Sequence, residues 1–182
     1  METLTRSGSA IELLYKIEQL SKQAARGLPQ RLDIKEAWSG IGFRIGSVNL
    51  VAPLTQVNEL IHYPKLTLVP GTKKWVKGIA NIRGTLLPIM DLQGFLGKTS
   101  VSVSAKTRVM VIKHGDLAVG LVVDEVLGLT HFSEENQVTA VAQFDESLRN
   151  FIQGAFHQDG VETLIFSMHA LAGHPDFFKV AV

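Results

Sequence analysis

Hydrophobic positions along the chain change their spacing once, near residue 40. Over Ser9–Arg26, Leu13, Ile17, Leu20 and Ala24 recur at three- and four-residue intervals and form one stripe, the period of an α-helix. Ser9 followed by Glu12 fits a capping box, and Gly27 with Pro29 supplies the stop. A stripe of this kind normally packs on its own domain. Leu28–Ser39 reads as a linker ending at Trp38.

From Ile41 onward, short runs rich in Val, Ile, Leu and Phe alternate with Gly, Pro, Asn and Asp. They predict strands over Ile41–Ile45, Val48–Pro53, Gln56–Tyr63, Thr85–Met90, Arg108–Lys113, Leu117–Val123, Glu125–Thr130, Gly154–His157 and Glu162–Ser167. Short helices fit Asp91–Leu96, Phe144–Phe151 and Met168–Ala172. No long helical pattern separates the strands, which argues against a parallel sheet with crossover helices and for an all-β fold. The two halves echo each other. Gly46, Leu50 and Val57 space like Gly115, Val119 and Val126, and Val76-Lys77-Gly78 resembles Ile152-Gln153-Gly154. Two barrels of similar plan, each closing its own edges, account for such an echo.

Composition narrows the function. The 182 residues are 46% hydrophobic and 19% charged, enough to bury a core and too apolar for a disordered chain. Without cysteine there is no disulfide, thiolate site or thiol nucleophile. Glu2, Glu12 and Glu18 interrupt the N-terminus, which does not read as a signal peptide, and the apolar runs are strand-sized, so the chain is expected to be cytoplasmic. A net charge of +1 lacks the basic excess of a phosphate-tracking protein. The nearest approach, Lys73, Lys74, Trp75 and Lys77, reads first as a solvated loop and second as a nucleic-acid-binding barrel.

Catalytic chemistry does not assemble. Asp124 and Glu125 are neighbours in a strand and point to opposite faces. Gly173 separates His169 from His174, and no third metal ligand is evident. The Gly40, Gly42, Gly46 spacing misses a dinucleotide loop, and Gly71-Thr72-Lys73-Lys74 lacks the first glycine of a phosphate loop. A hydrolase would lack a nucleophile–base pair. No enzyme activity, cofactor or metal is expected.

The densest motif is Val76–Asp91, VKGIANIRGTLLPIMD. Gly78 and Gly84 mark tight turns or close approach, Asn81-Ile82-Arg83-Gly84 reads as a turn, and Pro88 implies an edge or a bulge. Arg83, between Ile82 and a glycine, is expected to be partly buried or at a groove, where its guanidinium needs an acceptor. Removing such a partly buried residue would damage stability as well as function.

This run resembles the hallmark of the CheW family, matching it at Val76, Lys77, Gly78, Ile79, Asn81, Arg83, Gly84, Pro88, Asp91 and Leu92. Three further stretches resemble the family in the same order: Val57–Ile61, Gly120–Val126 with Asp124, and Phe151–Gly154. Trp38–Phe43 and Phe178–Val182 look similar to the branch serving type IV pilus chemosensory systems. The resemblance implies two SH3-like five-stranded barrels, here residues 38–105 and 106–182, after an N-terminal extension over 1–37. It implies a non-enzymatic adaptor that joins a chemoreceptor cytoplasmic tip (PilJ-like) to a CheA-type histidine kinase in twitching motility, touching the membrane only through the receptor. Glu59 and Arg83 would form an ion pair near the receptor contact, with Gly84, Val57 and Val122 beside it. Gly78, Asn81, Pro88, Asp91, Asp124 and Gly154 would be structural. Two departures stand out: the N-terminal helix is extra, and Ser167-Met168 replaces an Asp-Leu pair after the last strand.

Overall fold

The computed structural model describes residues 14–20, 37–138, 145–158 and 160–182. The chain divides into two compact units, Met1–Lys35 and Glu36–Val182. In the first, residues 14–20 are helical (α1), as the periodicity predicts, and Leu14, Ile17 and Leu20 are exposed. The capping box, Leu13, Ala24 and the predicted stop lie outside the described residues.

The second unit holds eleven described strands: β1 (Ala37–Ile45), β2 (Val48–Pro53), β3 (Glu59–His62), β4 (Val76–Ile82), β5 (Thr85–Asp91), β6 (Arg108–His114), β7 (Leu117–Val123), β8 (Glu125–Ser133), β9 (Gln137–Val138), β10 (Ile152–Gln158) and β11 (Val161–Phe166). Two short helices follow strands, α2 (Leu92–Phe95) after β5 and α3 (Met168–Ala172) after β11. The expected helix at Phe144–Phe151 is a 3-10 turn over Glu146–Phe151, and Phe144 lies outside the described residues. The expected strand from Gln56 begins only at Glu59, after a 3-10 turn at Leu54–Gln56. The expected linker is shorter too: Ala37 already pairs with Ser133, and Trp38 packs its ring on Phe156 at 4.8 Å.

Each of the two sheets draws strands from both halves of the chain. A six-stranded sheet runs β8-β1-β2-β11-β10-β9 and a five-stranded sheet runs β3-β6-β7-β5-β4. Adding 69 to the residue numbers of the β1–β2 hairpin, and subtracting 69 from those of its partner β8, reproduces β6–β7 and its pairing with β3. Gly42↔Gly128 becomes Val111↔Glu59, and Ile45↔Val48 becomes His114↔Leu117. Subtracting 76 from β10–β11 reproduces β4–β5: Gly154↔Ile165 becomes Gly78↔Ile89. The parallel pair Val51↔Ile165 likewise matches Gly120↔Ile89. The internal echo is therefore a duplication in which the halves have exchanged hairpins. A boundary at 105/106 falls inside the five-stranded sheet, and the other sheet has a sixth strand because the two-residue β9 joins β10.

The exchange explains the continuous apolar runs. In β6, Met110 and Ile112 enter a large central cluster with Phe43, Leu50, Leu121 and Phe166, whereas Val109 and Val111 face a second cluster within the five-stranded sheet. In β2, Leu50 and Ala52 join the centre while Val51 packs with Phe132, Phe156 and Ile165. Strands buried on both faces lose the alternation of a half-exposed sheet.

β4, missed in the strand pattern, is interrupted by a bulge between Val76 and Gly78, as β10 is between Ile152 and Gly154. Both glycines take positive φ, 135° and 152°. A Cβ on Gly78 would collide with the Thr67 carbonyl, and one on Gly154 would stand 3.0 Å from the Val138 carbonyl. Gly84 also has positive φ, but nothing lies near its would-be Cβ. A backbone position forced out of its allowed region costs about 1–3 kcal/mol, and overpacking adds about 1–3. Gly78→Ala is therefore expected to lower unfolding free energy by at least about 2 kcal/mol more than Gly84→Ala, measured by denaturant titration; equal losses would contradict the bulge's role.

Candidate functional site

The β4–β5 turn carries the first feature. Ile82 pairs with Thr85 across the two-residue loop Arg83-Gly84, and both loop residues have positive φ, 51° and 85°. That is the pattern of a type I′ turn, whose hand matches the twist of the strands it joins. Asn81 stabilises it by accepting the Gly84 N–H on Oδ1 at 2.8 Å. Arg83 is the one non-glycine residue with positive φ among the described residues. Holding a side chain in that region costs about 1–2 kcal/mol relative to a permissive residue.

Arg83 Nη2 lies 2.7 Å from Glu59 Oε1. The pairing is the expected one, but its setting is not. The Arg83 side chain is 80% exposed and that of Glu59 34%, so the guanidinium reaches out of the turn across the surface. Glu59 is in β3 and Arg83 follows β4, the two edge strands of the five-stranded sheet, and the pair spans them. An ion pair this exposed contributes about 0.2–1 kcal/mol, which corrects the expectation of a stability-critical, partly buried arginine.

The other expected contact residues scatter. Gly84 is exposed in the same turn. Val57 is half-buried against the central cluster. Val122 has no exposed surface and packs in the cluster of the five-stranded sheet with Val109. Pro88 is not on an edge, because β5 lies between β7 and β4. It is tolerated just before Ile89–Asp91, the stretch of β5 that pairs with β7, and beside the Gly78 bulge.

The motif's carboxylates are structural anchors. Asp91 is fully buried; it caps α2 by accepting Gly94 N–H at 3.1 Å and Val101 N–H at 3.0 Å, with Lys77 Nζ 3.9 Å away. The equivalent position after β11 is Ser167, also buried, which caps α3 by accepting Ala170 N–H at 3.1 Å. The serine thus keeps the capping half of the acidic residue's role. Asp124 accepts the Gly46 N–H at 2.6 Å and the Gln93 side-chain amide, tying the β1–β2 turn to α2. Gln93 is a member the sequence reading missed, as are Arg44 and Lys106, which flank Glu125 at 2.7 and 3.2 Å. All three lie far from their partners in sequence, and no local pattern marks them. The hydrogen bond from Arg44, then that from Lys106, holds the Glu125 carboxyl below its usual range.

Lys73 sits over the Trp75 ring at 4.8 Å, and Trp75 packs edge-on against Phe95 at 5.5 Å. Two of the four residues that the nucleic-acid reading would use, Lys73 and Trp75, are thus in contact with each other. No cluster of three potential metal ligands occurs among the described residues, and no described helix is long and apolar enough to cross a membrane.

The described site is thus a β-rich unit of two sheets with an exposed ion pair at one hairpin tip. Residues 39–176 match the CheW-like domain model, and the chain belongs to that family, whose members are scaffold or adaptor proteins and not enzymes. Protein PilI of Pseudomonas aeruginosa is 46% identical over 94% of this chain and 96% of its own, and FrzA of Myxococcus xanthus is 31% identical over 69% and 80% respectively. The scaffolding protein CheW of Thermoanaerobacter tengcongensis shares the fold, with a TM-score of 0.65 and 22% identity over 76% of this chain and 94% of its own.

Asp91 and Glu125 give two expected outcomes. Asp91→Ala leaves two backbone donors without their acceptor, and at about 1–3 kcal/mol for each buried orphan a loss of about 3 kcal/mol is expected in denaturant unfolding. Asp91→Asn, which keeps one acceptor oxygen but turns an amide NH2 toward the second backbone donor, is expected to lose at least about half of that. Because the folded Glu125 pKa is depressed, its ion pairs are present above the ordinary carboxylate range and are lost as pH falls through the lower folded value. A carboxyl NMR titration should place the Glu125 midpoint below that of a free glutamate and move it upward in Arg44→Ala; an unmoved midpoint would refute the pairing.

Proposed function

We propose that this chain couples a chemoreceptor cytoplasmic tip (PilJ-like) to a CheA-type histidine kinase in the cytoplasm, in control of type IV pilus twitching motility, and that the Glu59–Arg83 pair contributes to the receptor contact. One observation carries the role of the pair. The two sheets are the same structure built twice, and the position equivalent to Glu59 in the six-stranded sheet is Gly128, which has no side chain. The sister sheet holds its edges without this ion pair, so barrel closure does not require it. The arginine is nonetheless kept in a costly left-handed turn with most of its side chain in solvent. A charged group held at a conformational cost, with little stability returned, is what partner recognition asks of a turn. The relative PilI supports the type IV pilus assignment by its identity over nearly the whole chain, and the proteins named Chemotaxis protein CheW support the chemosensory one.

The test separates binding from folding. Arg83→Ala is expected to unfold within about 1 kcal/mol of the wild type, and on co-purification from native membranes to bring down at least tenfold less receptor. Undiminished receptor capture by a folded Arg83→Ala chain would overturn the assignment.

A further inference from the structure

The duplication also singles out a second residue at the β4–β5 tip. In the sister hairpin Gln158 pairs with Val161 as Ile82 pairs with Thr85, and Gly160, at φ 77°, stands where Gly84 stands at 85°. The loop pair there is Asp159-Gly160, a pair that two-residue turns favour. The β4–β5 loop has Arg83-Gly84 instead, and arginine enters the positive-φ region far less readily than aspartate or asparagine. The residue in the place of Asn81 is His157. The hairpin with the unfavourable loop residue is therefore the one that carries the asparagine.

Asn81 acts on the peptide that decides the turn. Its Oδ1 accepts the Gly84 N–H at 2.8 Å, and that N–H belongs to the peptide joining Arg83 to Gly84. Turning this peptide over converts a type I′ turn into a type II′ turn, whose first loop position calls for glycine. The acceptor on Asn81 favours the I′ orientation and so keeps Arg83 at φ 51°. Arg83 is then restrained at both ends: its backbone through Asn81, and its Nη2 by Glu59 Oε1 at 2.7 Å. Both Asn81 and Gly84 are exposed, so the bond fixes the shape of the tip without adding to the core.

We propose that Asn81 is a positioning residue for partner recognition, holding the turn that presents Arg83 and touching no partner itself. The assignment rests on the receptor contact proposed for Arg83. A partner that binds only the I′ form has its affinity scaled by the fraction of chains in that form. Loss of one exposed hydrogen bond changes such a fraction by about threefold to tenfold.

The full chain is tested by NMR and by co-purification from native membranes. A strong intraresidue amide–Hα NOE at Arg83, the mark of positive φ, is expected in the wild type and in Asn81→Asp, which keeps an acceptor. It is expected to weaken in Asn81→Ala. Asn81→Ala is also expected to bring down about threefold to tenfold less receptor, with a melting temperature no more than about 4 °C lower, while Asn81→Asp stays within about twofold of the wild type. In an Arg83→Ala background, Asn81→Ala is expected to cause no further loss, because no arginine remains to be positioned. Four results would each overturn the proposal: an unchanged NOE in Asn81→Ala, undiminished capture by that variant where Arg83→Ala has lost it, no rescue by Asn81→Asp, or an equal further loss in the Arg83→Ala background. Undiminished capture by Arg83→Ala would instead remove the receptor contact itself, and the proposal with it.

Discussion

The fold depends on one apolar cluster that neither half of the chain can complete by itself. Hairpin β1–β2 supplies Phe43, Ile45 and Leu50, hairpin β6–β7 supplies Met110, Ile112 and Leu121, and the ends of β5 and β11 bring Met90 and Phe166 into the same cluster. Each hairpin is hydrogen-bonded into a sheet with strands from the other half. Separating the halves would leave both sheets incomplete and the central cluster open. Because these strands are buried on both faces, a slip of one residue would exchange central-cluster side chains with those of the outer clusters, so the register is strongly specified.

On this rigid base the duplication acts as an internal control. Features shared by the two sheets, such as the glycine bulges, the helix caps after β5 and β11, and the parallel join to the exchanged hairpin, are what the architecture needs. Features on one side only call for another explanation. The Glu59–Arg83 pair, on the five-stranded sheet, is of that second kind, since the position equivalent to Glu59 is Gly128.

Much of this was legible in the sequence and some was not. Strand periodicity found most of the β elements, because Gly and Asn punctuation falls where the hairpins turn, and the echo between Gly46 and Gly115 followed from equivalent turns with φ of 58° and 59°. The pairing of Glu59 with Arg83 came from family resemblance, while exposure was misjudged because flanking Ile82 and Gly84 say nothing about where a left-handed turn aims its side chain. The complete burial of Val122 was not legible for a related reason: an apolar strand reads alike whether its face meets a partner or a core. The exchange of hairpins left no local trace, as pairing with β11 or with β5 changes the chemistry of β2 and β7 very little. The cap made by Ser167 was there to be read, since serine before a short apolar helix is an ordinary cap, but the sequence reading took that segment only as a departure from the family pattern.

The adaptor account is tested most directly by sedimentation with three components: membranes carrying the receptor, the purified kinase, and this chain. The account predicts that the kinase sediments with receptor-bearing membranes when the chain is present and stays in the supernatant when it is omitted. Kinase that sediments equally without the chain, or that remains soluble despite it, would contradict the account.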